Sequence, residues 1–120
     1  MARGEQMSLA KKLQIPAGKS VYLINPPKGF VIDAPVSSSH ESSALLLFAR
    51  DSKSVVSLGG PVFKAAKRDG LAWIAYPKAG QLDTDLNRDK LAELVKPRGI
   101  QPVRLVSLDE TWSAMRFRPA

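Results

Sequence analysis

Cysteine is absent from the 120-residue sequence, and histidine occurs once, at position 40. Without thiols there is no disulfide framework, no thiolate zinc site and no cysteine nucleophile, and such a composition fits a reducing compartment. Long hydrophobic runs are missing too. Stretches such as Ala44 to Ala49 fall far short of the roughly 18 residues of a membrane span, and the N-terminus shows no signal-peptide core, so the expectation is a cytoplasmic protein with no membrane partner. Aromatic residues make up only 7%, and acidic residues number 11 against 18 Lys and Arg. The resulting charge of +7 and pI near 10 raise the question of nucleic acid, because clustered cations displace phosphate counterions. Clustering is what the sequence has little of. The adjacent basic pairs are Lys11-Lys12 and Lys67-Arg68, each placed where an exposed helix face would carry it, and Phe48 and Trp73 sit inside apolar runs. Nucleic-acid binding is therefore disfavoured and stands third among the functional readings.

What is present describes a folded domain. With 44% apolar and 24% charged residues the chain has the composition of a globular protein, and its length predicts one domain over 1–120 with a frayed start at Met1–Met7. Ser8 caps a short helix through Lys12, with Leu9 and Leu13 on one face, and Pro16-Ala17-Gly18 ends it. Three short apolar runs read as buried strands: Ser20 to Ile24, Ala44 to Ala49, and Leu71 to Tyr76. The first is broken by Asn25-Pro26-Pro27-Lys28-Gly29, which leaves room for one helical turn near Phe30 to Asp33. A polar loop, Ser37 to Ser43, follows, with at most a vestigial edge strand at Val36. A helical region from Lys53 to Arg68 is split by Gly59-Gly60-Pro61. Thr84 or Asp85 is expected to cap a helix running to about Lys96, stopped by Pro97 and Gly99. Val103 to Leu108 and Ala114 to Arg118 read as two more strands. The gap between them is too short for a parallel crossover, so they form an antiparallel hairpin. The expected fold is α/β: three layers, Rossmann-like, with a mostly parallel sheet of about five strands ending in that hairpin.

In an open α/β sheet, ligands bind beyond the carboxyl ends of the parallel strands. The sequence places polar residues there: Asn25 and Lys28 after the first strand, Arg50 and Asp51 after the second, Tyr76 and Lys78 with Thr84, Asp85 and Arg88 after the third, and Asp109 and Trp112 in the hairpin. Lys28, Lys78, Arg88 and Arg116 together would hold an anion, helped by free N–H groups at a helix N-terminus. Each residue also has an ordinary structural use: Thr84 and Asp85 as caps, Asp109 as the partner that fixes the hairpin, and Trp112 as a side chain folded back onto the core. Catalytic signatures are missing. His40 lies in a serine-rich loop without a partner pattern, there is no Gly-x-Ser-x-Gly elbow or Walker loop, and Asp83, Asp85 and Asp89 lack the second carboxylate segment a magnesium site needs.

At Trp73-Ile74-Ala75-Tyr76-Pro77-Lys78, Thr84-Asp85-Leu86-Asn87-Arg88-Asp89 and Asp109 through Arg118, the chain resembles a bacterial family of domains of unknown function, number thirty fifty-two. Lys12 to Pro16 and Leu23 to Pro27 are similar to that family's opening. The resemblance covers most of the chain and implies no assigned activity. The order of elements also looks like a trimmed Rossmann-like methyltransferase, with the first strand followed directly by equivalents of its fourth to seventh. Such an enzyme needs a glycine-rich loop after the first strand and an acidic residue ending the next; here stands Asn25-Pro26-Pro27-Lys28-Gly29, and no strand carries the acid. No S-adenosylmethionine binding, and no other cofactor, is expected. A trimmed sheet would expose the first strand as an edge, so a homodimer pairing there is a further expectation. The leading functional reading is a binding or interaction module for an anionic or nucleotide-like ligand, or for a protein partner, without required catalysis. The alternative is a degenerate or atypical transferase with Asp85 or Asp109 as base and Lys78 steadying negative charge.

Overall fold

The computed structural model describes residues 8–120; the expected frayed start at Met1–Met7 lies outside the described residues. In chain order the elements are α1 (Leu9–Lys12), β1 (Val21–Ile24), β2 (Val36–Ser37), β3 (Ala44–Phe48), α2 (Ser52–Leu58), α3 (Gly60–Lys67), β4 (Leu71–Pro77), α4 (Arg88–Val95), β5 (Ile100–Ser107) and β6 (Trp112–Pro119). Short 3-10 turns occupy Gln81–Asp83 and Lys96–Arg98. The strands form one six-stranded mixed sheet in the order β2-β1-β3-β4-β6-β5. Pairing is parallel from β2 through β4, while β6 runs antiparallel to both β4 and β5, so the hairpin enters the sheet through its second strand.

The centre of the sheet, β3 and β4, is buried on both faces because its runs are apolar at nearly every position rather than at alternate ones. All five residues of β3 are buried. Leu45 and Leu47 point into one core with Val55, Val62 and Phe63 of the helices, Leu91 and Val95 of α4, and Ile74, Met115 and Phe117 of the sheet. Leu46 and Phe48 point into a second core with Trp73, Trp112 and Ala114, closed by Leu13 and Ile15 of the N-terminal segment and, less deeply, by Phe30 and Ile32. The Trp73 indole N–H, inside this second core, donates to the Leu13 carbonyl at 3.0 Å, so the cover is held by a buried hydrogen bond as well as by packing.

Four expectations need correction. The sheet has six strands, because Val36–Ser37 pairs in parallel with β1 in the register Val21 to Val36. β2 lies outside β1 and pairs with Val21 and Tyr22, so that half of β1 is not an edge, while Leu23 and Ile24 have no partner in β2. The segment from Phe30 to Asp33 forms no helical turn: Phe30, Ile32 and Ala34 alternate onto the second core while Val31 stays exposed, and Asp33 accepts from the Ala10 backbone N–H at 3.0 Å. Finally, α4 starts at Arg88, because Asn87 has the extended cap conformation and accepts from the Lys90 N–H at 2.8 Å. The split of the long helical region is as expected. At Gly59, between α2 and α3, a Cβ would collide with the Val55 carbonyl and the Phe63 ring, so the crossing of the two helices needs that glycine.

Candidate functional site

From β1 the chain moves outward to β2 on one side and then returns to β3 on the other, so the connection reverses between β1 and β3. That reversal leaves a crevice beyond the carboxyl ends of the two strands, because the loops leaving them turn in opposite directions. The structure has a concavity there of about 220 Å³, lined by Asn25, Pro26, Pro27, Arg50, Leu82 and Trp112. Asn25 ends β1 in the left-handed region, at φ 58°, and its Nδ2 donates across the gap to the Phe48 carbonyl at 3.1 Å. Asparagine tolerates that conformation better than most residues, and the bridge locks the β1 exit against the end of β3.

Arg50 supplies the positive charge. It stands two residues after β3, its guanidinium reaches the Leu82 carbonyl at 3.5 Å, and it joins none of the three ion pairs found among the described residues. Leu82 and Asp83 are both left-handed, at φ 54°, a costly arrangement for two consecutive residues that bear side chains. It turns Leu82 outward, 42% exposed, over the crevice. Trp112 forms the opposite wall. Its side chain is buried against Phe48 in an edge-to-face contact at 5.1 Å, so it is folded back onto the core, with part of its surface lining the crevice.

The other residues singled out in the sequence lie elsewhere. Lys28 is exposed and does not line the crevice. The Lys78 ammonium donates to the Ser107 hydroxyl at 2.7 Å. Thr84 accepts from the Leu86 N–H at 3.0 Å, a local turn rather than a helix cap. Asp85 accepts from both the backbone N–H and the hydroxyl of Ser52, at 2.9 and 2.6 Å, and Lys90 lies 3.4 Å away. The two Ser52 donors, with Lys90 adding to them, hold the Asp85 carboxyl down at about 2. Asp51 caps α2 by accepting from the Ser54 N–H at 2.9 Å, and that bond lowers its carboxyl as well.

Tyr76 is buried in the first core, where desolvation raises its hydroxyl. Arg88 pairs at 3.5 Å with Asp89, its neighbour on α4. Asp109 accepts from the Thr111 and Trp112 N–H groups, both at 2.8 Å, and so closes the hairpin turn. Arg116 is not on the rim at all. It pairs with Trp73 in mid-sheet and donates to Gln14 at 2.7 Å. Lys28, Lys78, Arg88 and Arg116 thus have separate surroundings, and the anion cluster expected of them does not form. His40 lies 3.2 Å from the Tyr22 hydroxyl on the exposed surface. Among the described residues no three His, Asp or Glu side chains gather as metal ligands, and no helix is long and apolar enough to cross a membrane.

Of the residues that the sequence places at the rim, Asn25, Arg50 and Trp112 reach the crevice, and Leu82 completes it. Arg50 carried a readable signal, since it stands first after a buried run at the reversal of strand order. The left-handed turn that presents Leu82 carried none, because leucine is a residue that sequence reasoning would not place there. Comparison of the chain with protein-family profiles, with curated proteins and with solved structures finds no match in any of the three.

Proposed function

We propose that the protein is a small binding module whose switch-point crevice takes a compact anionic metabolite. The observation that carries this reading is the placement of Arg50, without a carboxylate partner among the described residues, in a concavity otherwise walled by Pro26, Pro27, Leu82 and Trp112. Apolar walls with a few placed polar groups are what a small-molecule site needs. Arg50 would bind the carboxylate or phosphate, and the Asn25 amide would orient the rest of the molecule. A volume of about 220 Å³ suits a ligand smaller than a whole dinucleotide.

The strand order β2-β1-β3-β4, parallel throughout, supports likeness to a trimmed Rossmann-like sheet. In that likeness β2 stands where a ribose-binding carboxylate would follow. Ser37, Ser38 and Ser39 occupy the position instead, which supports a ligand other than S-adenosylmethionine. The transferase alternative has less support: Asp85, held at about 2 by Ser52, is a weak base at neutral pH, and Asp109 is committed to its turn.

A thermal-shift screen of wild type and Arg50→Ala against phosphate, small carboxylates, nucleoside monophosphates and S-adenosylmethionine tests the reading, since a ligand that prefers the folded state raises Tm. The expected result is a shift from a small anion in wild type that Arg50→Ala loses. A shift equal in both proteins, or none from any anion, overturns it.

A further inference from the structure

A second concavity lies away from the crevice, between α3 and the Lys96–Arg98 turn that leads into β5. It measures about 310 Å³ and is lined by Gly60, Phe63, Lys64, Lys67, Pro97 and Arg98. Three of these six residues are cations and none is acidic. The ion pairs among the described residues use Arg88, Lys90 and Arg118, so Lys64, Lys67 and Arg98 are unpaired there. Asp69, two residues beyond Lys67, is taken by Arg118 in a contact of 2.7 Å.

Arg98 and Lys67 meet at one turn, and Lys64 lines the same concavity. The Arg98 guanidinium sits 4.7 Å from the centroid of the Phe63 ring, a cation–π contact that fixes the plane of its donors. Lys67 crosses toward the same turn: a Cβ at Gly99 would meet its Cε at 3.4 Å and its Nζ at 3.9 Å. The helix dipole accounts for Lys64 and Lys67 in the last turn of α3. It does not account for Arg98, which comes from a different segment, stacks on Phe63 and lines the same concavity. Cations gathered in one concavity repel one another, and an anion with several negative charges relieves that repulsion.

We infer that this cleft binds a diphosphate or triphosphate group. A single phosphate leaves the three cations undercompensated, whereas a diphosphate at neutral pH matches them and offers Arg98 two adjacent oxygens for its fork. The chemistry is shared by inorganic polyphosphate and by a nucleoside polyphosphate, and the site is independent of the crevice around Arg50.

Isothermal titration with pyrophosphate, tripolyphosphate and adenosine triphosphate at low salt tests this on wild type, Arg98→Ala, Lys67→Gln and Arg50→Ala. Arg98 and Lys67 are exposed, so these substitutions leave the core intact. The expected result is saturable binding by wild type that weakens as salt rises. Arg98→Ala and Lys67→Gln should each bind about tenfold less tightly, the size of one lost charge-assisted contact. Arg50→Ala, in which the crevice has lost its cation, should keep the site that Arg98→Ala and Lys67→Gln weaken, which separates this cleft from the crevice. Tighter binding of adenosine triphosphate than of tripolyphosphate would identify the nucleotide as the source, and equal binding the free polyphosphate. Absence of saturable binding, or affinity unchanged in Arg98→Ala and Lys67→Gln, overturns the inference. Loss of binding in Arg50→Ala alone would also overturn it, by moving the anion to the crevice.

Discussion

Asp85 shows how one residue type can be read correctly as a cap and still be assigned to the wrong helix. Next to Asn87 and Arg88 it looks like the start of α4, but its carboxylate reaches across to Ser52 at the start of α2 and so ties two segments 33 residues apart. The Ser52 donors stabilise its ionised form, which lowers its pKa in the folded state from 3.8 to about 2. A carboxyl depressed on folding contributes stability that is present above its unfolded pKa and is lost as pH falls toward the folded one. Asp85→Asn should therefore lower Tm at neutral pH, and the gap to wild type should close between about pH 4 and about pH 2. Denaturation curves across that range check this; a gap that persists at pH 2 would assign the loss to packing. Arg50 carries the complementary lesson: its place after a buried run puts it at the rim in the sequence, and the neighbouring loops decide that Leu82 and Trp112 wall the crevice around it.

The starts and stops of elements were legible wherever a local hydrogen bond or a steric block sets them. Ser8 caps α1 and Asp51 caps α2 through bonds to N–H groups three residues on, and Gly59 separates α2 from α3. The start of α4 was not legible, because Thr84, Asp85 and Asn87 are all good caps within four residues. Local preference cannot choose among them, and the choice fell to Asn87 once Asp85 was drawn to Ser52. Asn87→Ala should cost about 1 kcal/mol, the usual loss for a helix N-cap. Urea unfolding with an unchanged m-value checks this, whereas Thr84→Ala should cost less. β2 was nearly illegible for a different reason: two residues have no periodicity, and their pairing depends on the β1 neighbour.

For the whole molecule, protection should follow position in the sheet. β3 and β4 are flanked on both sides and buried on both faces, whereas β2 has two residues and β5 is mostly exposed along an outer edge. Hydrogen exchange should find the slowest amides in β3 and β4 and the fastest strand amides in β2. Comparable protection in β2 and β3 would contradict this view of the sheet. The β5 edge is blunted by Pro102 and by an irregularity in register between Pro102 and Arg104.

The sequence by itself determined the α/β class, the buried strands, the split helix and the antiparallel hairpin. Each follows from short-range patterns: runs of apolar residues, glycine and proline breaks, and a connection too short to cross over. Only the tertiary structure decided that β6 rather than β5 lies against β4, that β2 covers β1, and which charged residues meet. Lys28, Lys78, Arg88 and Arg116 share a sequence logic but not a location. Lys64, Lys67 and Arg98 share a cleft although two elements, β4 and α4, separate them in the chain. Charges on long side chains carry no periodic signal, so their grouping is set by how helices and loops settle on the sheet.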